Sequence, residues 1–255
     1  MQPEYEAKYH ELEEQHWWFV AMREILLAML QGVPREAAIL EIGCSGGPLL
    51  IALRRAGYTN ARGIDISWVA VEMARQRGVE SVEVMDGANL TYPDESFEVI
   101  LASNVLEHIK DEYAALRSWL RVLKPSGRLI VFVPAYEALW SEDDEQGGHY
   151  RRYTSPSLGA ALWKAGFLVT RIAYWNLALL PPVALVRWGL RLLPKRSQPD
   201  LLSATHPIVQ RTLLGVLRAE NRLISAGVNL PAGISAFALA QKPESPRRGR
   251  AHGRL

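Results

Sequence analysis

Cysteine is all but missing from this 255-residue chain. Cys44 stands alone, which excludes an internal disulfide framework and any zinc site built on several thiolates. A lone thiol suits a reducing cytoplasm, the compartment expected here. Charge of one sign is scarce as well: the formal net charge is +2, and much of the basic excess sits in RRGRAHGR at 247–254. The remaining body is close to neutral, carries no recognisable RNA-binding module, and is not expected to bind nucleic acid. Long apolar runs are also lacking. The segment LALLPPVALVRWGLRLLP at 177–194 is too short to span a bilayer and is broken by Pro181, Pro182, Arg187 and Arg191. The opening residues MQPEYEAKYHELEEQ are acidic and polar where a secretory leader is basic and then apolar, so no leader is expected. There is no internal repeat.

What is present is an alternation. Hydrophobic residues make up 49% of the chain, enough for one α/β domain with a sizeable core. AAILEIG, ARGIDI, SVEVMDG, FEVILAS and GRLIVFVP read as five short apolar strands, with helical patterns PLLIALRRAG, SWVAVEMARQRG and AALRSWLRVL between them. Short apolar strands separated by helices predict a doubly wound, mostly parallel sheet covered on both faces. Beyond Pro134 a long polar loop is expected, AYEALWSEDDEQGGHYRRYTSP, then a helix LGAALWKAG, a sixth strand around FLVTRIAYW and a seventh, ISAFALAQ. The expected organisation is an N-terminal helical cap over 1–35, a core over 36–176 and 231–242, an all-helical insertion over 177–230 before the last strand, and a disordered basic tail over 243–255.

The stretch EIGCSGG, Glu41 to Gly47, ends the first strand and opens the first helix. Glycines there let backbone approach a ligand, and the helix N-terminus offers free N–H donors. The same string satisfies G-x-S-x-G, the nucleophile elbow of an α/β-hydrolase, although no oxyanion-loop strand or HGGG segment precedes it. A plain tight turn is the third reading. Asp65 favours ligand binding, because it ends strand two about twenty residues beyond the loop, where an acid grips a ribose diol; its alternative role is a helix N-cap, for which Ser67 is better placed. Asp86 repeats that position after strand three. A nicotinamide enzyme is disfavoured because Ser45 breaks G-x-G-x-x-G.

In this order and spacing, ILEIGCSGG, GIDIS, VMDGANLTYPDESFEVILASNVLEHI and LRVLKPSGRLIVFVP resemble the class I S-adenosylmethionine-dependent methyltransferases, in particular the small-molecule group with a type 11 methyltransferase domain. The resemblance spans residues 36–134. It implies a seven-stranded Rossmann-like methyltransferase fold and S-adenosylmethionine as cofactor. It also implies that Glu41, Gly43 and Gly47, with Cys44 and Ser45 between them, shape the loop under the methionine part. Asp65, with Ile66 beside it, would hold the ribose, Asp86 the adenine amino group, Gly87 or Ala88 the ring, and Ser103 and Asn104 the methionine end. Ser45 stands where the family has its second glycine, and Glu98 where it has aspartate.

Methyl transfer needs a base only for a weakly acidic acceptor, and a histidine near neutrality is the economical choice. GGHYRRYTSPSL resembles a subset of the family, matched by Trp140, Asp144, His149, Tyr150, Arg151, Arg152 and Tyr153. His149, Tyr150 and Arg152 are the candidate catalytic residues; the competing role is a structural loop knit by ion pairs to the SEDDE acids. Arginines facing the pocket would favour a carboxylate or phosphate on the acceptor. NVLEHI resembles the E-x-x-E-H metal pair of some quinone and RNA methyltransferases, but Asn104 replaces the first acid and no further histidine is assignable to the site, so no metal is expected. His108 and Trp140 are expected at the acceptor entrance, with Trp17 and Trp18 as an aromatic lid. The expected acceptor is a small molecule, apolar or lipid-linked, with residues 177–196 available for peripheral membrane contact. A non-catalytic S-adenosylmethionine-binding partner or sensor is the alternative reading.

Overall fold

A computed structural model describes residues 10, 12–190 and 206–244. The expected cap residues 1–9 and 11, the middle of the insertion at 191–205 and all but the start of the expected disordered tail lie outside the described residues.

The first strand, β1 (Ile39–Ile42), is buried along its whole length and pairs in parallel with β2 (Ala61–Asp65) on one side and β4 (Phe97–Ser103) on the other. β3 (Val82–Val84) extends the β2 edge, and β5 (Leu123–Pro134) follows β4. β7 (Ser235–Gln241) then inserts antiparallel between β5 and β6 (Leu168–Trp175), giving the seven-stranded order β3-β2-β1-β4-β5-β7-β6. The mostly parallel, doubly wound sheet expected from the alternation is therefore present. All the parallel strands end on one edge, where open sheets of this type hold ligands.

Helices cover both faces. α1 (Trp17–Met29), α2 (Pro48–Arg55) and α3 (Trp68–Gln76) share one apolar core with Phe132, Trp175 and Phe237, while α4 (Glu112–Val122) and α6 (Ser155–Ala165) close the other around Trp119 and Leu158. Their starts follow local chemistry. Ser67 accepts from the Ala70 N–H, Asp111 from Ala114, and Thr154 forms a reciprocal box with Ser157.

Three local expectations change. The loop expected after Pro134 contains a short helix, α5 (Glu142–Gly147), capped by Ser141 and Asp144 in a capping box. The S-x-x-D signature was present in SEDD, but no apolar period follows it to mark a helix. β5 begins at Leu123 rather than Gly127, because Leu123 pairs with Phe97 before the ladder breaks and resumes at Val99–Arg128. The N-terminal helix does not simply cover the sheet edge: α1 lies along α8 (Pro207–Ser225), which with α7 (Leu180–Leu190) forms the described part of the insertion. Asn221 joins them, accepting from Trp175 Nε1 at 2.8 Å and donating to Ala21 O at 2.9 Å.

Candidate functional site

The turn after β1 is a left-handed sequence of backbone conformations, with φ of 72° at Gly43, 49° at Ser45 and 81° at Gly47. Gly43 is required by space as well, since a Cβ there would lie 2.5 Å from Val105 Cγ2. Asp65, at the end of β2, holds the turn: its carboxylate accepts the Ser45 N–H and the Ser67 N–H, each at 2.9 Å. This carboxylate thus has a structural duty beside any ribose contact. Cys44 faces the interior, its thiol packed beside Gly63, with its N–H bonded to Ile64 O and its carbonyl accepting from Gly47 N–H. Burial pushes that thiol far up, with the Glu41 and Asp65 charges adding to the effect, so Cys44 is a packing residue that leaves no polar group for a ligand.

Sequence reasoning missed the partner of this turn. Glu13, 1% exposed, accepts from Ser45 Oγ at 2.6 Å and pairs with Arg77 Nη1 at 2.5 Å, and Arg77 also donates to Gly46 O. Burial raises the Glu13 pKa, but the bonds from His10, Ser45 and Arg77 overcome this and hold it below the usual carboxylate value. With the Ser45 proton committed to Glu13, His10 Nδ1, 3.0 Å away, is left to donate to Ser45. That is the reverse of base activation, and it counts against the hydrolase reading. Nothing in the polar string ELEEQ distinguishes Glu13 from its neighbours, since the distinction lies in which acid meets a turn thirty residues away.

Glu41 lies fully in the β1 core edge with Oε2 unpartnered; burial first, then the nearby Glu13 and Asp65 charges, raise its pKa well above the ordinary value. At the β3 end, exposed Asp86 accepts from Ala88 N–H at 2.8 Å, and Gly87 O receives the Trp119 indole N–H at 2.7 Å. A Cβ on Gly87 would meet Ile42 at 2.7 Å. Ile66, beside Asp65, is 73% exposed. Ser103 and Asn104 close β4, Asn104 in a left-handed conformation with φ of 54°.

The second half of the site comes from the β4 and β5 ends. Beyond Asn104 and Val105, Leu106–His108 form a 3-10 turn, and the loop carrying α5 returns His149 onto it. The His108 and His149 rings meet edge to face at 4.5 Å, with Trp140 6.5 Å from His149. His149 Nδ1 lies 2.7 Å from Asp144 Oδ1, and Arg152 grips the same carboxylate through Nε at 2.8 Å and Nη2 at 2.9 Å. Burial raises the Asp144 pKa, but His149 and Arg152 more than reverse this and hold it well below the carboxylate range. Burial pushes Glu107 up to about 7 and, with the neighbouring His149, His108 down to about 4.

The candidate residues therefore separate. His108, His149 and Trp140 gather at one place, joined by Glu107. Arg152 is 6% exposed at its side chain and spent on Asp144 and Ala135 O, so it braces the loop instead of facing an acceptor. Arg151 is bound to Lys110 O and Glu112. Tyr150 is 55% exposed, with its backbone N–H on Glu107 O. Trp17 and Trp18 are half-buried: Trp18 packs 5.7 Å from Trp175 and Trp17 5.0 Å from His16, so both serve the α1 interface.

A parallel sheet of this order, with β7 reversed and a glycine turn answered by acids at the next two strand ends, defines the Rossmann-like methyltransferase class. A family profile described as "Methyltransferase domain" matches residues 15–172, and the chain belongs to that family, which uses S-adenosylmethionine. Among curated relatives, the 27-O-demethylrifamycin SV methyltransferase of Amycolatopsis mediterranei is 37% identical over 98 residues, covering 36% of each chain. The ubiquinone biosynthesis O-methyltransferase of Actinobacillus pleuropneumoniae is 34% identical over 101 residues, 36% of this chain and 43% of that one. The chain thus spans well under half the length of these two relatives. A solved S-adenosylmethionine dependent methyltransferase from Mesorhizobium loti superposes with a TM-score of 0.58 at 18% identity, covering 87% of this chain and 97% of that one.

Proposed function

We propose that the protein transfers a methyl group from S-adenosylmethionine to a small-molecule acceptor that is apolar or lipid-linked. The observation that carries this reading is the meeting of two half-sites on one sheet edge: the glycine turn with Asp65 and Asp86, and the Glu107, His108, His149 and Trp140 group. The turn fits the cofactor, because its backbone is left-handed where close approach is needed and Glu41, two residues before Gly43, keeps a buried oxygen unpartnered. When bound, S-adenosylmethionine supplies a methyl on an already activated sulfonium, so displacement is in line and the protein mainly orients the acceptor and excludes water.

Asp65 and Asp86 stand where the ribose hydroxyls and the adenine amino group would be read, with Ile66 and Ala88 beside them. On the acceptor side, Asp144 is acceptor-only when ionised, so His149 Nδ1 carries the proton and its Nε2 offers a lone pair. That lone pair is the group this chain presents to an acceptor O–H or N–H. Arg152 is a positioning residue that acts through Asp144. Incubating the protein with methyl-labelled cofactor and a cell extract tests the reading. Label in an extractable acceptor, lost in Asp65→Ala, is expected; cofactor binding without any label transfer would favour the non-catalytic reading.

The insertion supports contact with a lipid surface. No described helix is long and apolar enough to cross a membrane, yet Leu185, Val186 and Trp188 of α7 and Ile208 and Val209 of α8 are exposed. Arg187, which interrupts the apolar run, is tied to Leu139 O and Asp143. Co-flotation with liposomes, weakened in a Leu185→Ser, Trp188→Ser double variant, is the expected result; intact protein that stays at the bottom of the gradient removes the surface.

A further inference from the structure

We propose that Glu107, His108 and His149 form a binding site for one divalent transition-metal ion of the zinc or cobalt class. The sequence argued against a metal because Asn104 replaces the first acid of E-x-x-E-H and no histidine beyond His108 could be assigned to the site. The loop after β5 supplies one: an atom of each of the three side chains able to bind a metal lies within 4.8 Å of the other two. With bonds of about 2.0–2.1 Å, ligand atoms around such an ion stand roughly 3–3.5 Å apart, so side-chain rotations closing little more than an ångström complete the set.

The three residues do not satisfy one another in the absence of an ion. Glu107 is 0% exposed and neither carboxyl oxygen has a hydrogen-bond partner. A buried carboxylate in that condition is costly: the group either keeps its proton or takes a cation as partner, and neither neighbouring arginine is available to it. Arg152 is bound to Asp144 and Ala135 O, Arg151 to Lys110 O and Glu112, and Glu107 caps no helix. A cation is the partner that this oxygen pair lacks.

The surroundings also orient the ligands. His149 gives its Nδ1 proton to Asp144 at 2.7 Å, leaving the Nε2 lone pair free for an ion, and Asp144 is itself fixed by Arg152 and by the Ser141 N–H at 2.7 Å. A carboxylate holding the far nitrogen of a ligating imidazole sets its tautomer and raises its basicity. A core-packing role for the pair would not need this chain of buried charge behind one ring. The donor set selects the class of ion: two imidazoles and one carboxylate match zinc with an open position, or a neighbouring late first-row metal, whereas magnesium and calcium prefer oxygen throughout.

Binding rests on this geometry alone, while its use rests on the methyl-transfer reading. The open position would take an acceptor hydroxyl, whose proton passes to solvent before the oxygen forms its bond to the methyl carbon and the carbon–sulfur bond breaks. With the ion bound, the His149 lone pair ligates it, and the role of that lone pair toward an acceptor proton belongs to the ion-free protein alone.

The test uses the untagged 255-residue chain treated with a chelator, dialysed, and titrated with zinc alone and with cobalt alone, following heat and the cobalt visible spectrum. Cofactor binding and thermal melting are measured on the same samples. One equivalent bound is expected, with a cobalt spectrum typical of a low-coordinate nitrogen and oxygen site. Second-layer partners of metal ligands are worth about 10–100-fold in affinity, so Asp144→Asn should weaken binding by that much and Glu107→Gln or His149→Gln by at least about a hundredfold. Cofactor affinity should be unchanged in Glu107→Gln, whose shape is conserved. A wild-type protein that melts cooperatively but takes up no stoichiometric metal, or variants that bind metal as wild type does, overturns the site. Loss of cofactor binding with metal uptake intact would count against the methyl-transfer reading alone.

Discussion

Ser45 occupies a left-handed conformation that costs a non-glycine residue about 1–2 kcal/mol, and its hydroxyl holds Glu13 against the turn. The two effects can be separated. Ser45→Ala keeps the backbone cost and loses the hydroxyl, whereas Ser45→Gly loses both, so the glycine variant should be the more stable by about 1 kcal/mol in urea titrations. Both should fall below wild type, because Glu13 is left short of a donor. Glu41 gives a pH-dependent prediction. Its folded pKa is raised, so the folded protein holds a proton there that the unfolded chain has released. The associated stability is fully present below the ordinary value of 4.5 and is lost as pH rises. Glu41→Gln should therefore match wild type near pH 4.5 and become the more stable protein, without cofactor, by pH 8. Cofactor affinity of that variant should fall, because an amide at the turn cannot give up a proton to become a charged acceptor when the cofactor binds. Chemical denaturation and calorimetry at the two pH values check both halves.

At the scale of elements, the segment between β5 and α6 behaves as a built piece of structure. Its helix α5 is short, but Asp144 at its third position caps Ser141, receives Arg152 in a paired grip and holds His149. Removing one member of a buried ion pair leaves the other uncompensated, at a cost of about 3–5 kcal/mol. Asp144→Ala should lose stability on that scale by thermal melting. Arg151→Ala, whose side chain is 26% exposed toward Glu112, should lose distinctly less, since partly solvated pairs contribute about 0–1 kcal/mol. Equal losses would show that the loop is not organised around Asp144. The run GGHYRRY stood out in the sequence by its resemblance to a subset of the family, with a loop knit by ion pairs as the competing role. Which arginine faces which acid was not legible, because both readings use the same charges and only the return of the chain over Leu106–His108 decides between them.

Over the whole molecule, the N-terminal helix and the insertion form one layer, although about two hundred residues separate α1 from α8. Asn221 is the polar joint of that layer, buried between Trp175 and Ala21. Asn221→Leu leaves two buried groups unpaired and should cost about 2–4 kcal/mol, while Arg218→Ala, which breaks an exposed pair with Glu24, should cost about 1 kcal/mol or less. Comparing the two melting curves tests whether burial or charge count joins the layer. The succession of strands and helices along the chain, the glycine turn, and the places of Asp65 and Asp86 at strand ends were readable in the sequence, because each depends on residues close in the chain: apolar period, caps, and an acid at a strand end. The family followed from those local strings in their order. What the tertiary structure alone decided are the meetings across the chain: Glu13 and Arg77 on the Ser45 turn, α1 against α8, and His149 against Glu107 and His108. Local chemistry sets which element a residue joins, but a contact between distant segments depends on how the whole sheet and its two covering layers pack, and no short window of sequence contains that.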